Sequence, residues 1–296
     1  MVTIAKTIVA TGATSGLGFE LVKQLLAQPQ PYNFILGARN VEAAQAAYDG
    51  LEFDNTKHSI TILPVELNNL KTVKTFAQQA LEKLGQTKVD YLLLNAGVGF
   101  QKIPAAQGPH GSRWCEQYLV NHLSQHYLIH LFRQKLEESH SRIVVVSTRS
   151  VRRLPHTKLL EEDIKAATMT EPEHLIYLDT KFIQLLAAHW WRRQLQGTCT
   201  VIAVTPGMVP TTGITRGSSK HLPKDHPDAK SIPEGAQNIL RAFTQDDFPE
   251  DPDQIFLNSS GEWWPKEMYR LSLDKALQDK WSLSKDQIEN EEGIVA

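Results

Sequence analysis

The sequence predicts an α/β fold: a doubly wound Rossmann-type parallel sheet of seven strands with helices on both faces. Three observations carry that expectation. Short apolar runs of strand length alternate with amphipathic runs of helix length along nearly the whole chain. One of the apolar runs, Val89-Asp90-Tyr91-Leu92-Leu93-Leu94, is almost unbroken, as a strand covered on both faces must be. The first apolar run passes straight into a glycine-rich turn and an amphipathic run: Ile8-Val9-Ala10-Thr11-Gly12-Ala13-Thr14-Ser15-Gly16-Leu17-Gly18.

In that opening unit the first strand covers residues 7–10, and Phe19, Leu21, Val22, Leu25 and Leu26 give the helix its apolar face. Gly12 permits a tight exit from the strand, and Gly16 and Gly18 let backbone and helix pack closely. The helix N-terminus, at Thr14, Ser15 and Leu17, then offers free N–H groups to a pyrophosphate. A second strand, Phe34-Ile35-Leu36-Gly37-Ala38, ends at Arg39. An acid there would accept the ribose 2′-OH of NAD, whereas an arginine pairs with the 2′-phosphate of NADP. The nearest acid, Glu42, belongs to the next helix, so the expected cofactor is NADP(H).

A third strand spans residues 60–67, with Glu66 and Leu67 bordering the adenine, and a helix follows over residues 70–84. Val73, Phe76, Ala77, Ala80, Leu81 and Leu84 share one face of it. The fourth strand ends in Asn95-Ala96-Gly97. Further elements are a helix over 120–136, a strand over 142–147, and a polar segment over 152–175 with a short helix at 159–167. A long helix covers 175–195 and a strand 200–204, followed by the turn Pro206-Gly207 with Val209 and Thr211 beyond it. Residues 208–227 read as a mobile loop over the site, 234–243 as a helix and 254–258 as a seventh strand. The division expected is a Rossmann domain over 1–262 and a C-terminal helical extension over 263–296, packed on the same domain.

Bulk properties narrow the classes. The chain has 296 residues and 41% hydrophobic content, ample for one large core. Lys+Arg 31 against Asp+Glu 33 leaves a net charge of -2, which gives no electrostatic case for nucleic acid or an anionic membrane. Cys115 and Cys199 are far apart, in no metal or disulfide spacing. No signal-peptide pattern or membrane-length apolar run is present, so a soluble, cytoplasmic protein is expected.

The chemistry centres on Tyr177 and Lys181, one helical turn apart and so on one helix face. Of the 7 tyrosines, only Tyr177 has a lysine four residues on. Bringing a phenol from a pKa of about 10 to 7 takes roughly 4 kcal/mol. An ammonium about 4 Å away at an effective dielectric near 20 supplies roughly that much. Tyr177 is thus the group that passes a proton to or from a substrate oxygen, while a nicotinamide passes hydride at carbon.

On these residues the chain resembles the short-chain dehydrogenase/reductase family over nearly its whole length. The likeness rests on residues 11–18, on Asn95-Ala96-Gly97, on Asn121 in Val-Asn-His-Leu, on Tyr177-Leu178-Asp179-Thr180-Lys181, and on Pro206-Gly207-Met208-Val209-Pro210-Thr211. It is strongest to the NADP(H)-preferring carbonyl reductase and retinol dehydrogenase types. The resemblance gives Lys181 a second task, holding the nicotinamide ribose, and makes Asn121 the anchor of a proton-relaying water. The family's substrate-orienting serine aligns with Thr148 here, not Ser147. Threonine keeps the hydroxyl but narrows the pocket. The implied activity is NADPH-dependent reduction of a ketone or aldehyde on a mainly apolar small molecule. A catalytically silent NADP(H)-binding scaffold and a non-redox cyclase are the alternatives. The long stretch between Thr148 and Tyr177 is an insertion, compatible with a monomer or a homodimer.

Other groupings read as structural. His122, His126 and His130 form one stripe on a packed helix, without the glutamate of a zinc-helix motif. Arg149, Arg152 and Arg153 either meet an anionic substrate group or form a solvated face. Trp190-Trp191 and Trp263-Trp264 read as core or interface aromatics, the second pair with a pocket wall as its alternative, and residues 289–292 as a solvated end. The substrate pocket is expected from residues 97–100, 149–155, the insertion and the 208–227 loop.

Overall fold

The computed structural model describes residues 4–99, 107–166, 173–215 and 225–294. Phe100, Ala167, Val295 and residues 216–224 of the expected loop lie outside the described residues. The first half alternates strictly: β1 (Lys6–Thr11), α1 (Gly16–Leu26), β2 (Tyr32–Ala38), α2 (Val41–Asp49), β3 (Ser59–Pro64), α3 (Leu70–Leu84), β4 (Tyr91–Leu94). Next come α4 (Glu116–Tyr118), a π turn (Leu119–Leu123) and α5 (Ser124–Ser139), joined through helical backbone at each junction. Then follow β5 (Arg142–Val146), a 3-10 turn (Arg149–Arg153), α6 (Leu160–Ile164), α7 (Glu173–Gln194), β6 (Thr200–Val204), α8 (Ile232–Thr244) and β7 (Phe256–Leu257). A 3-10 stretch (Lys266–Leu273), α9 (Lys275–Trp281) and α10 (Lys285–Glu291) close the chain.

The seven strands form one parallel sheet in the order β3-β2-β1-β4-β5-β6-β7. Alternation along each strand divides the core in two. Ile8 and Ala10 meet Leu21, Val22 and Ile239 on one face, while Val9 meets the side that holds Val73, Phe76, Phe132 and Leu186. The order reverses between β1 and β4, and there the carboxyl ends of neighbouring strands open a crevice.

Local chemistry sets the helix limits. Asn69 caps α3 by accepting from the Lys71 N–H at 3.1 Å, and Gly85 ends it at φ +50°. A reciprocal Ser231–Glu234 capping box starts α8. Four elements differ from expectation, the third strand by stopping at Pro64 rather than Leu67. The helix placed at 120–136 begins at Glu116 and carries a π turn, which shifts its face around Asn121. The short helix after the fifth strand stops at Ile164, because Lys165 turns extended to pair with Trp114 and the Ile164 carbonyl accepts from the Cys115 N–H at 2.8 Å. The seventh strand keeps two residues, since the Gln254 and Asn258 N–H groups bond to turns at Asp251 and Glu262.

The acidic end is not a solvated fringe. Glu289 accepts from the Tyr127 hydroxyl at 2.6 Å and pairs with Lys74 at 3.3 Å, while Glu292 accepts from Ser112 at 2.9 Å. Tyr269, Trp281 and Ile288 enter the same core cluster as Val9 and Leu92. Among the described residues no helix is long and apolar enough to cross a membrane.

Candidate active site

The glycine turn is shaped by close approach. A Cβ on Gly12, whose φ is +65°, would stand 2.6 Å from the Ala96 nitrogen. One on Gly18 would run into the Gly12 carbonyl and stand 2.6 Å from Asn95 Nδ2. Asn95 Nδ2 donates to that carbonyl at 2.7 Å, which ties the end of β4 to the turn after β1. Ser15, at the start of α1, makes no side-chain cap, and no acid occupies the first turn. The N–H groups there remain available, and nothing lies within 4 Å of where a Gly16 Cβ would be. This cradle fits a dinucleotide pyrophosphate.

A single cavity of about 670 Å³ runs from this cradle, past Arg39, Glu66 and Leu67, to the ends of β4, β5 and β6. Every residue assigned above to cofactor or chemistry lines it except Gly18, Asn121 and Thr211. Gly18 lies beneath the turn, acting through packing. Thr211 is exposed, and its neighbour Thr212 lines the cavity with its hydroxyl donating to the Val209 carbonyl at 3.1 Å. Asn121, fully buried in the π turn, accepts from the Val98 N–H at 2.8 Å. Its amide donates to the Val98 carbonyl at 2.9 Å and to Thr180 Oγ1 at 3.0 Å. Its side chain therefore braces the loop after β4 against α7.

Thr148 and Tyr177 are hydrogen-bonded through their side chains at the end of β5. Thr148 Oγ1 also accepts from the Ser150 N–H at 3.2 Å, so it caps the 3-10 turn that follows. Ser147 is buried, with no hydrogen-bond partner for its hydroxyl among the described residues. Burial pushes the Tyr177 phenol up to about 12, against a smaller downward pull from Thr148. Burial brings the Lys181 ammonium down to about 7. The expected lowering of the Tyr177 phenol by the Lys181 ammonium is not what dominates here: burial sets the direction for both groups, and the Lys181 donors are directed elsewhere. Lys181 Nζ donates to the Val146 carbonyl at 2.6 Å and to Gln184 Oε1 at 2.5 Å.

Gln184 was missed by sequence reasoning, and so was Gln125, whose Oε1 accepts from Gln184 Nε2 at 3.4 Å. The signal existed for Gln184: it lies three residues beyond Lys181 on the same helix face, a polar side chain amid Phe182, Ile183, Leu185 and Leu186. No comparable signal marks Gln125.

The remaining expectations sort clearly. Gly97, Val98 and Gly99 line the cavity, as do Arg149, Ser150 and Arg153, whereas Arg152, Leu154 and Pro155 do not. The described residues of the insertion beyond Arg153 contribute no wall. Met208, Val209, Thr212, Gly213, Ile214 and His226 come from the loop after β6. The second tryptophan pair forms no wall: Trp263 packs on Phe248 and Trp264 on Phe256. Among the described residues no group of three His, Cys, Asp or Glu is placed to hold a metal.

A model of the short chain dehydrogenase family matches residues 6–157. Short-chain dehydrogenase/reductase GME11359 of Pestalotiopsis microspora is 53% identical over 290 residues, 97% of this chain and 99% of that protein. Human retinol dehydrogenase 13 is 30% identical over 210 residues, 70% of this chain and 60% of the relative. The NADPH-bound carbonyl reductase from chicken fatty liver shares the fold, with a TM-score of 0.65 at 19% identity, over 88% of this chain and 98% of that one. The chain belongs to the short-chain dehydrogenase family.

Proposed function

From that membership we propose that this oxidoreductase is an NADPH-dependent reductase of ketones or aldehydes with a mainly apolar body. The observation that carries the reading is geometric: the Tyr177 phenol, hydrogen-bonded to the Thr148 hydroxyl, lines the same cavity as Lys181 and the glycine cradle. NADPH, when bound, supplies the hydride that forms the new C–H bond. Tyr177 gives its proton to the carbonyl oxygen, which leaves as the alcohol, and the phenol is re-protonated from water. Thr148 donates a hydrogen bond to the same oxygen and orients it. Lys181 has three N–H groups, of which two are held by Val146 and Gln184; the third is left for the nicotinamide ribose. Arg39 is exposed at the wall of the cavity and takes the 2′-phosphate.

The test follows NADPH or NADH absorbance with a panel of ketones and aldehydes, for the native chain and Tyr177→Phe. Turnover preferring NADPH is expected from the native chain. The variant is expected to lose on the order of 10²–10⁴-fold in kcat, with NADPH affinity retained in a fluorescence titration. Turnover in Tyr177→Phe equal to that of the native chain would reject the role given to the phenol.

A further inference from the structure

The cavity carries more positive charge than a dinucleotide explains. Arg39 follows β2, the pyrophosphate cradle follows β1, and Arg149 follows β5. In the order β2-β1-β4-β5 the two arginines stand three strand spacings apart, about 14 Å at roughly 4.8 Å each. A 2′-phosphate at Arg39 is therefore beyond the reach of Arg149, and the pyrophosphate is served by α1. A second cationic end remains, on the turn that follows β5.

That end is built from Arg149 and Arg153, both lining the cavity. Arg149 Nη1 donates to Asp228 at 2.9 Å, and Asp228 is mostly exposed, with 57% of its side chain in solvent. This pair fixes the guanidinium while leaving its other N–H groups unengaged by Asp228. Arg153, on the same 3-10 turn, has no carboxylate within salt-bridge distance among the described residues. The acids that line the cavity, Glu66 and Glu116, sit toward β3: Glu66 follows that strand, and Glu116 accepts from Asn68 Nδ2 at 3.0 Å. The same cavity has apolar wall from Val98, Met208 and Ile214.

We propose that the substrate is a carbonyl compound bearing a carboxylate, held by Arg149 and Arg153 while its apolar body lies on Val98, Met208 and Ile214. The proposal rests on the reductase reading and names its substrate class. Guanidinium–carboxylate recognition is charge-assisted and directional, so it orients the substrate as well as attracting it. Thr148 and Arg149 are adjacent in the chain, so carbonyl and carboxylate are read by neighbouring residues.

The test uses para-acetylbenzoate and its methyl ester, matched in shape and differing in charge. Two measurements are made on the full chain loaded with NADPH: kcat/KM for each compound, and calorimetric binding of each. The acid is expected to exceed the ester by about tenfold in both, an advantage that shrinks with added salt. Arg153→Ala should bring the acid-to-ester ratio towards one, and Arg153→Lys should retain part of it. NADPH titration checks that the variants keep the folded site. If both compounds are reduced equally well, the carboxylate proposal falls and the reductase reading stands. If neither is reduced but the acid binds preferentially through Arg153, the carboxylate-binding role of Arg149 and Arg153 stands and its assignment to a reducible substrate falls. A binding ratio near one, or a ratio indifferent to Arg153→Ala, overturns the proposal.

Discussion

The cavity side of α7 and the tail side of α5 both bury titratable groups, but only one of them leaves a charge to use. On the cavity side Lys181 has two acceptors for three N–H groups and faces open space. On the tail side His122, His126 and His130 are closed in by carbonyls. His122 Nε2 donates to the Trp281 carbonyl at 3.1 Å. Trp191 Nε1 donates to His126 Nδ1 at 2.8 Å, which puts the His126 proton on Nε2, directed at the Leu283 carbonyl 2.8 Å away. His130 Nε2 reaches the same carbonyl at 3.0 Å. Burial depresses all of these groups, yet the histidines have become fasteners between α5 and the C-terminal helices. What separates a site from a structural stripe is the unused hydrogen-bonding capacity that faces a cavity, not the residue type.

That contrast can be broken most sharply at Lys181. Lys181→Met is expected to lower kcat/KM by on the order of 10²–10³-fold, as loss of a charged group in proton-transfer chemistry does. It should spare the fold, because it replaces a buried ammonium by an apolar chain of similar length. His126→Leu, by contrast, should cost about 1–3 kcal/mol of stability, since Trp191 Nε1 and the Leu283 carbonyl each lose a partner. Steady-state kinetics and chemical denaturation of both variants check the pair; a catalytic defect in His126→Leu as large as that in Lys181→Met would erase the distinction.

The two clusters should also titrate in different windows. His122 and His130 lie at about 4, each lowered from 6.5 chiefly by burial, and His126 lies well below 6.5 for the same cause. The unfolded chain therefore binds more protons than the native one below pH 6.5. Stability is fully present above that value and lost as pH falls towards 4, by up to about 1.4 kcal/mol per pH unit for each histidine. Lys181, lowered from 10.5 to about 7, acts in the same direction but higher: its contribution makes stability rise from pH 7 to about 9, above which the buried Cys115 thiol, raised from 9 to about 11, opposes it. Melting curves across pH should show both slopes, and Lys181→Met should remove the upper one alone. The smallest effect expected is that of Gln184→Leu, about a tenfold loss in kcat with its pH profile displaced, because Lys181 keeps Val146 but loses its second acceptor. Gln184→Glu, which keeps an acceptor, should restore part of that loss.

How much was legible follows from the range of the interactions. The glycine turn, the strand ending at Arg39, the α3 boundaries at Leu70 and Leu84, and the Tyr177–Lys181 spacing are all local, and sequence reasoning placed them. The preference for Thr148 over Ser147 came from the family resemblance, and in the structure it is Thr148 whose side chain is hydrogen-bonded to Tyr177. The acids of α10 were misjudged as solvated, because their partners Tyr127, Lys74 and Ser112 are remote in sequence. The π turn at Asn121 carries no local propensity signal, and its purpose is visible only once Val98 and Thr180 stand beside it.

The sequence by itself determined the doubly wound sheet, the glycine cradle and the helix that bears Tyr177 and Lys181. Strand period, helix period and glycine's access to positive φ are properties of a residue and its near neighbours. Tertiary structure alone decided where the Lys181 protons go, which histidines are closed, and that Arg149 and Arg153 face the same cavity as Tyr177. Burial and hydrogen-bond partnership depend on residues far apart along the chain, and a linear pattern does not encode which of them will meet.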